Sequence, residues 1–515
     1  MPTSPARAIT NVGGLGPPLS DLALPRWGIP TLRWHSYPPS KGFSELRWLR
    51  REPDRVGSRP PFPLLRQVQR QPTLDRRGYD MVDPARSRLL EQVRAYHHAQ
   101  VPGPAPFVPG QTPILSSGAT LDADDRQALV AAALDLRIAS GGITAKFESS
   151  VARILKRRKA LLTNSGSSAN LLALSTLTST ELGDQRLQPG DEVVTVAAGF
   201  PTTVNPILQN GLVPVFVDIE LGTYNTTAER VEEAISPRTR AIMIAHTLGN
   251  PFPVAEIAEL AARHGCYLIE DNCDAVGSTY NGRLTGTFGR LSTLSFYPAH
   301  HLTMGEGGML LSSDLKLAKL AKTFRDWGRD CWCEPGEDDR CLKRFELQLG
   351  TLPAGYDHKY VFSEVGYNLK SSDIQAALGL SQLAKLPDFI EARKRNWRQL
   401  RAGLDGLPGL LLPEATPGSD PSWFGFIITV LPDAGFDVSD VVSCLEHRNI
   451  RTRRLFAGNL TRHPAYIGRP QRIVGSLANS DVATERTFWI GVHPGITTEM
   501  VEYVIGTLKE FVASH

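Results

Sequence analysis

No stretch of this chain approaches the roughly 18 consecutive apolar residues that a membrane span needs. The start, Met1-Pro2-Thr3-Ser4-Pro5-Ala6-Arg7, lacks the apolar segment of a secretory signal, so a cytoplasmic location is expected. The net charge is only +3 over 515 residues, which points to neither nucleic acid nor an acidic membrane surface as a partner. Cysteine is scarce, with six in the whole chain, too few and too unevenly placed for a disulfide framework. The paired C-x2-4-C knuckles of structural zinc are missing as well. What remains is a globular composition, 41% hydrophobic and 8% aromatic, long enough to bury a large core in two lobes plus extensions.

Composition shifts near residue 80. Residues 1–80 are rich in Pro, Arg and Trp, as in Arg47-Trp48-Leu49-Arg50-Arg51 and Arg59-Pro60-Pro61, and hold no sustained helical or strand period. They are expected to be a largely disordered basic extension, and Met81, where patterning begins, is a candidate natural start. A polyanion-binding tail is the other reading, but no interleaved motif supports it. From residue 123 short apolar runs, such as 192–197, 213–217, 241–245 and 266–269, alternate with amphipathic helical stretches. This predicts an α/β fold with a mostly parallel sheet covered on both faces. Residues 81–394 would form N-terminal helices and a large domain, and residues 395–515 a small C-terminal domain.

In such sheets ligands bind beyond the carboxyl ends of the strands, and the informative motifs all follow apolar runs. Thr163-Asn164-Ser165-Gly166-Ser167-Ser168-Ala169-Asn170 passes from a strand through small residues into a helix. Its exposed amides and hydroxyls suit a phosphate, although an ordinary N-cap on a core helix has the same pattern. Asp271, in Ile269-Glu270-Asp271-Asn272-Cys273-Asp274, ends another run; a carboxylate there can hold a proton on a pyridine nitrogen, or simply be a solvated loop acid. Phe200 follows a third run and can either lie flat on a ring or belong to the core. Ser295 offers a further hydroxyl, five residues before His300.

In order and spacing these pieces resemble the DegT/StrS sugar aminotransferases, of fold type I among pyridoxal phosphate enzymes, from about residue 115 to the C-terminus. The resemblance implies a seven-stranded, mostly parallel sheet between helices with a small α+β C-terminal domain. In that family Ser-Phe-x-x-x-Lys carries the lysine that forms the cofactor Schiff base; here the stretch reads Ser295-Phe296-Tyr297-Pro298-Ala299-His300. An imidazole moves protons but cannot make that bond, which excludes ordinary transamination. The exchange resembles the branch that dehydrates nucleotide-linked 4-keto-6-deoxyhexoses at C3. This implies pyridoxamine phosphate held without a covalent link, and His300 as the base, with His301 one residue out of register. Asp271 would face the pyridine nitrogen and Phe200 the ring, while Gly166, Ser167, Ser295 and Asn368 would hold the phosphate. Asn368 lies in Gly366-Tyr367-Asn368, which in the family reaches the neighbouring subunit, so a homodimer is implied.

Cys273, Cys331, Cys333 and Cys341 follow C-x57-C-x-C-x7-C, the spacing that the cluster-bearing members of this branch use for a [2Fe-2S] centre. That implies an external electron source, an NAD(P)H-dependent iron–sulfur flavin reductase or a ferredoxin system. Cys266 and Cys444 are expected to be buried structural residues. Arg451, Arg453, Arg454 and Asn459 lie where the family contacts substrate, but equally describe an exposed basic turn. A CDP- or dTDP-linked sugar, and a surface-polysaccharide or secondary-metabolite pathway, are all compatible with these residues. A cluster-free dehydrase, an aminotransferase homologue and a non-catalytic scaffold on a retired transferase fold are the alternatives.

Overall fold

Seven short runs dominated by Val, Ile, Leu and Ala form the central sheet. In chain order they are β1 (Lys159–Thr163), β2 (Glu192–Val196), β3 (Val213–Val217), β4 (Thr239–Ala245), β5 (Tyr267–Asp271), β6 (Leu291–Ser295) and β7 (Gly308–Ser312). The computed structural model describes residues 83–101, 103, 106–331, 333, 338–340 and 342–515, so the extension expected over residues 1–80, and Met81, lie outside the described residues. Across the sheet the order is β1-β7-β6-β5-β4-β2-β3, and a two-residue strand, Arg472–Ile473, pairs in parallel with β3 as an eighth member. Only β7 runs against its neighbours; the other pairings are parallel. Every residue of β2, β5, β6 and β7 is buried, as a sheet covered on both faces requires.

The covering helices follow from apolar spacing. They are α1 (Pro84–Gln100), α2 (Ala123–Leu134), α3 (Gly142–Ile154), α4 (Gly166–Leu177), α5 (Pro201–Gln209), α6 (Ala228–Ala234), α7 (Val254–Arg263), α8 (Leu315–Arg325), α9 (Asp373–Leu383) and α10 (Leu386–Leu404). In α7 the buried residues are Val254, Ile257, Leu260 and Ala261, one stripe at helical spacing. Each such aliphatic side chain contributes roughly 1.5–3 kcal/mol by leaving water. The N-cap of α3 is Gly141, which has no side chain to cap the helix. Asp373 of α9 does so instead, accepting from the amides of Gly141 (2.8 Å), Ile143 (3.2 Å) and Thr144 (2.8 Å) and from the Thr144 hydroxyl (2.7 Å).

The C-terminal part is a four-stranded antiparallel sheet in the order Leu410–Leu411, β8 (Gly425–Val430), β10 (Thr487–Gly491), β9 (Thr452–Arg454). Helices α11 (Val438–His447), α12 (Ala478–Arg486) and α13 (Thr498–Ala513) accompany it. The boundary expected at 394/395 falls inside α10. That helix packs Leu386 and Phe389 into the core around Phe147 and Phe296, and Leu400 and Leu404 into the core around Phe426 and Phe488. The apolar stripe of α10 thus serves two cores. Cys266 and Cys444, expected to be buried, are only half-buried: Cys266 lies just outside β5, its thiol directed at the Thr239 carbonyl at 3.3 Å.

One acid at the end of β5 is structural. Glu270 is fully buried and accepts from the amides of Gly286 (2.6 Å), Phe288 (2.7 Å) and Gly289 (2.6 Å), with His246 Nε2 at 3.3 Å. Arg157 donates to the carbonyls of Gly286 (2.6 Å) and Gly289 (2.7 Å). Burial by itself would raise the Glu270 pKa, but the His246 hydrogen bond and charge, the Gly289 amide and the Arg157 charge together hold it below the ordinary carboxylate value.

The segment around Ile114 is pinned to the C-terminal sheet by His493. His493 Nε2 lies 3.1 Å from the Leu115 carbonyl, and Nδ1 accepts from the Gly495 amide at 3.2 Å, an arrangement that fits only the neutral ring. Burial first, and the Arg393 charge second, lower its pKa from 6.5 to about 4. Because the folded pKa lies below the unfolded one, this stabilisation is complete above pH 6.5 and is lost as the pH falls toward 4. The loss amounts to about 3 kcal/mol by pH 4. Urea unfolding of the wild type and His493→Gln at pH 7.5 and pH 4 is expected to show a steeper loss in the wild type by that amount; parallel pH dependence would contradict it.

Candidate functional site

At the carboxyl ends of β2, β4, β5 and β6 the chain opens into a cavity of about 490 Å³. Its floor is set by parallel strands, which bring their C-terminal residues to one edge. Ser165, Gly166 and Ser167 come from the start of α4, Phe200 from the start of α5, Asp271 from the end of β5 and Ser295 from the end of β6. His300 and Cys273 enter from the loops that follow. The structure thus brings together Gly166, Ser167, Phe200, Asp271, Cys273, Ser295 and His300. Asn368 is not among the lining residues: it is exposed, and its backbone bridges to Asp326.

The start of α4 is built for close approach. Ser165 is extended and caps the helix, its hydroxyl accepting from the Ser168 amide at 3.0 Å. A Cβ at Gly166 would lie 2.6 Å from Ser295 Cβ and 3.1 Å from Cys273 Sγ, so only glycine fits between those residues. Phe200 is 51% exposed in the single chain, with one ring edge toward Phe456, which makes it a wall of the cavity rather than core.

Asp271 is buried to 5% exposure and firmly oriented. Its Oδ2 accepts from Asn170 Nδ2 at 2.8 Å and from the Thr203 hydroxyl at 2.7 Å, while Thr293 donates to Asn170 Oδ1 at 2.6 Å. Oδ2 is engaged twice, whereas Oδ1 takes a long contact, 3.3 Å, from the Cys273 amide, and the Cys273 thiol also faces this carboxylate. One carboxylate oxygen therefore retains capacity for a donor in the cavity. Asn170 and Thr203 have no functional mark in the sequence beyond their places in the α4 and α5 starts.

The two adjacent histidines have different environments. His300 lines the cavity with its Nδ1 3.2 Å from Asp274 Oδ1, each side chain 15% exposed, and its ring lies over Phe424 at 5.2 Å. His301 is turned inward, 2% exposed, with Nε2 2.8 Å from the Ser422 carbonyl. Burial, and then the nearby Arg393 charge, push the His301 pKa well below its ordinary value. Arg393, from α10, is itself 1% exposed and donates to the carbonyls of His300 (3.2 Å) and Trp423 (3.3 Å). Neither Asp274 nor Arg393 was marked as functional by motif; Asp274 stands three residues beyond Asp271, and Arg393 joins from a distant helix.

Among the described residues the thiols are not gathered. Cys273 lines the main cavity, where burial, and then the carboxylates of Asp271 and Asp274, push its pKa well up. Cys331 and Cys333 line a separate small pocket with Arg344, His358 and Lys359, and Cys341 lies outside the described residues. Among the described residues no group of three or more His, Cys, Asp or Glu side chains is placed to hold a metal ion. Of the basic segment, Arg453 and Arg454 line the cavity beside Trp489. Arg451 instead pairs with Glu446 at 2.9 Å, and buried Asn459 donates to Asp481 at 2.9 Å. Among the described residues no helix is long and apolar enough to cross a membrane.

Comparison with known proteins matches residues 120–509 to the DegT/DnrJ/EryC1/StrS aminotransferase family. The chain is 64% identical over 84% of its length to the dTDP-4-dehydro-2,6-dideoxy-D-glucose 3-dehydratase of Saccharopolyspora spinosa, covering 94% of that protein. It is 50% identical over 82% of its length to a lipopolysaccharide biosynthesis protein of Salmonella typhimurium, covering 97% of it. Among solved structures, an Escherichia coli GDP-4-keto-6-deoxy-D-mannose-3-dehydratase with bound hydrated PLP is similar at a TM-score of 0.70 and 26% identity. That match covers 77% of this chain and all but 1% of the other, which is covered to 99%.

The contrast between the histidines gives a stability test. His301→Ala removes the ring that meets the buried Ser422 carbonyl and leaves a cavity, at an expected cost of about 2–4 kcal/mol. His300→Ala, at the cavity surface, is expected to cost under about 1 kcal/mol. Urea unfolding at neutral pH measures both, and equal losses would contradict the assigned orientations.

Proposed function

The chain belongs to the DegT/DnrJ/EryC1/StrS aminotransferase family, and on that premise we propose that it removes the C3 oxygen of a nucleotide-linked 4-keto-6-deoxyhexose, with pyridoxamine phosphate as cofactor. The observation that carries this reading is His300, which stands in the cavity at the sequence position of the family's Schiff-base lysine. The similarity to the 3-dehydratase of S. spinosa supports a dTDP-linked 2,6-dideoxy substrate.

The residues present fit the cofactor. Gly166 lets Ser295 and Cys273 close on the α4 start, which offers amides and the Ser167 and Ser295 hydroxyls to a phosphate. The free capacity of Asp271 Oδ1 suits a protonated pyridine nitrogen, and Phe200 supplies an apolar wall for the ring. When bound, pyridoxamine phosphate supplies an amine for the C4 ketone and a ring that accepts electrons. Asp271 keeps the ring nitrogen protonated, and the Asn170 and Thr203 hydrogen bonds keep Asp271 oriented. His300 takes the proton from C4′ and returns one to the departing C3 hydroxyl, which leaves as water. Arg453 and Arg454, at the cavity wall beside Trp489, are placed to meet the nucleotide diphosphate. Asn368 lies off this cavity, and a role for it at the phosphate places it in the site of a second copy, a homodimer.

Replacing C3–OH by C3–H takes two electrons and two protons, so a reductase partner belongs to this reading. The C-x57-C-x-C-x7-C spacing supports a [2Fe-2S] cluster on Cys273, Cys331, Cys333 and Cys341. Among the described residues Cys273 lines the main cavity and Cys331 and Cys333 a separate pocket. The alternative reading is a dehydratase that works without a cluster.

The test is an anaerobic assay with pyridoxamine phosphate, a reductase and dTDP- and CDP-linked 4-keto-6-deoxyhexoses, following loss of the C3 oxygen. Deoxygenation is expected with at least one sugar, and His300→Asn is expected to retain cofactor but lose turnover by at least about 10²-fold. Near-normal turnover in that variant would remove His300 from the chemistry. About two iron atoms and two sulfides per chain are expected; iron-free protein with full turnover would establish the cluster-free reading.

A further inference from the structure

Three groups converge on one loop without any motif to announce them: His300, Asp274 and Arg393. The His300 ring meets Asp274 through Nδ1 at 3.2 Å, inside the cavity wall, with both side chains 15% exposed. Among the described residues neither ring nitrogen of His300 makes an aligned hydrogen bond: Nδ1 is within hydrogen-bond distance of Asp274 Oδ1 but is not aligned as one. The ring is also boxed in, with Phe424 at 5.2 Å and a 52° tilt on one side and its backbone carbonyl held by Arg393 at 3.2 Å. Arg393 also donates toward the Ala299 carbonyl at 3.5 Å, so the segment that carries the imidazole is fixed on two successive residues.

We propose that Asp274 is the positioning residue for His300, a carboxylate that orients the imidazole and fixes its tautomer so that Nε2 is the basic atom offered to the cavity. This rests on the reading of His300 as the proton-transfer base. A carboxylate at Nδ1 stabilises the tautomer with hydrogen on Nδ1, and it stabilises the imidazolium formed once Nε2 has taken a proton. In that transfer the C–H bond at C4′ breaks, its proton goes to Nε2, and Nδ1 keeps its own. The Asp274 charge also acts on the buried guanidinium of Arg393, which holds the backbone of the same loop. The sequence offers a reason for the arrangement. A Schiff-base lysine is held in place by its covalent bond, whereas an imidazole in the same position has no such tether and needs an orienting partner.

The experiment uses full-length protein reconstituted with C4′-deuterated pyridoxamine phosphate and incubated with dTDP-4-keto-2,6-dideoxy-D-glucose without reductase. The readouts are deuterium washout into solvent and cofactor affinity. Asp274→Asn is expected to slow washout roughly a hundredfold, with cofactor affinity changed by less than about twofold. In a His300→Asn background the same substitution is expected to change the residual rate by less than about threefold, since a partner that acts through His300 has nothing left to orient. Asp274→Glu, which keeps the charge and also serves should the Asn variant not fold, is expected to lose less than about tenfold. Washout near the wild-type rate in Asp274→Asn, a loss in Asp274→Glu equal to that of Asn, or full additivity with His300→Asn would each overturn the positioning role. If His300→Asn alone washes out normally, the assignment of the base fails instead.

Discussion

The arrangement around the cavity depends on one buried cation. Arg393 sits in the middle of α10, almost without exposure, and its guanidinium reaches carbonyls on two separate loops: Ala299 and His300 from the large sheet, and Trp423 and Phe424 from the entry to the C-terminal sheet. Burial pulls its pKa down to about 10, with Asp274 opposing the shift, so the side chain is still charged near neutral pH. Burying a guanidinium is expensive unless its donors are used. Here Nη1 and Nη2 donate to carbonyls of both loops while Nε has no partner among the described residues, so one side chain ties the two loops together.

From that anchor the polar groups of the site divide into those that hold and those that face the cavity. Asp271 commits one oxygen to Asn170 and Thr203 and leaves the other lightly used. His301 commits its Nε2 to Ser422 inside the protein, while its neighbour His300 turns its ring to the cavity. Adjacent residues of one type thus acquire opposite duties from the direction in which the backbone sends them. The same division explains the basic segment near β9, where Arg451 is consumed by Glu446 and the next two arginines remain on the cavity wall.

Much of the fold was legible because its signals are local. Continuous apolar runs such as Val193–Val196 and Ile242–Ala245 became strands buried on both faces, and small residues after Thr163 became the capped start of α4. The strand-end acid Asp271, and His300 in its register, could be picked out because parallel sheets gather strand ends at one edge. The pairing of His300 with Asp274 was not legible, since it joins two loops 26 positions apart, and neither loop has a period. Arg393 was hidden for a related reason: on a helix pattern a charged residue reads as solvent-facing, and only the packing of two cores around α10 turns it inward. The cysteine spacing marks a candidate ligand set, but spacing along a chain does not report whether the thiols meet in space.

Glu270 and Asp271 are consecutive acids on one strand, and they take different partners. Glu270 meets three amides of the 286–289 loop, and Asp271 meets α4 and α5. Side chains alternate across a strand, so these two acids serve opposite faces of the sheet. A slip of one residue in β5 would exchange them, aiming the structural acid at the cavity and the cavity acid at a loop whose amides it does not match. The pair therefore works as a registration mark: the strand has a single alignment in which both carboxylates are satisfied, and the reactive edge inherits its accuracy from a loop that never touches the cavity.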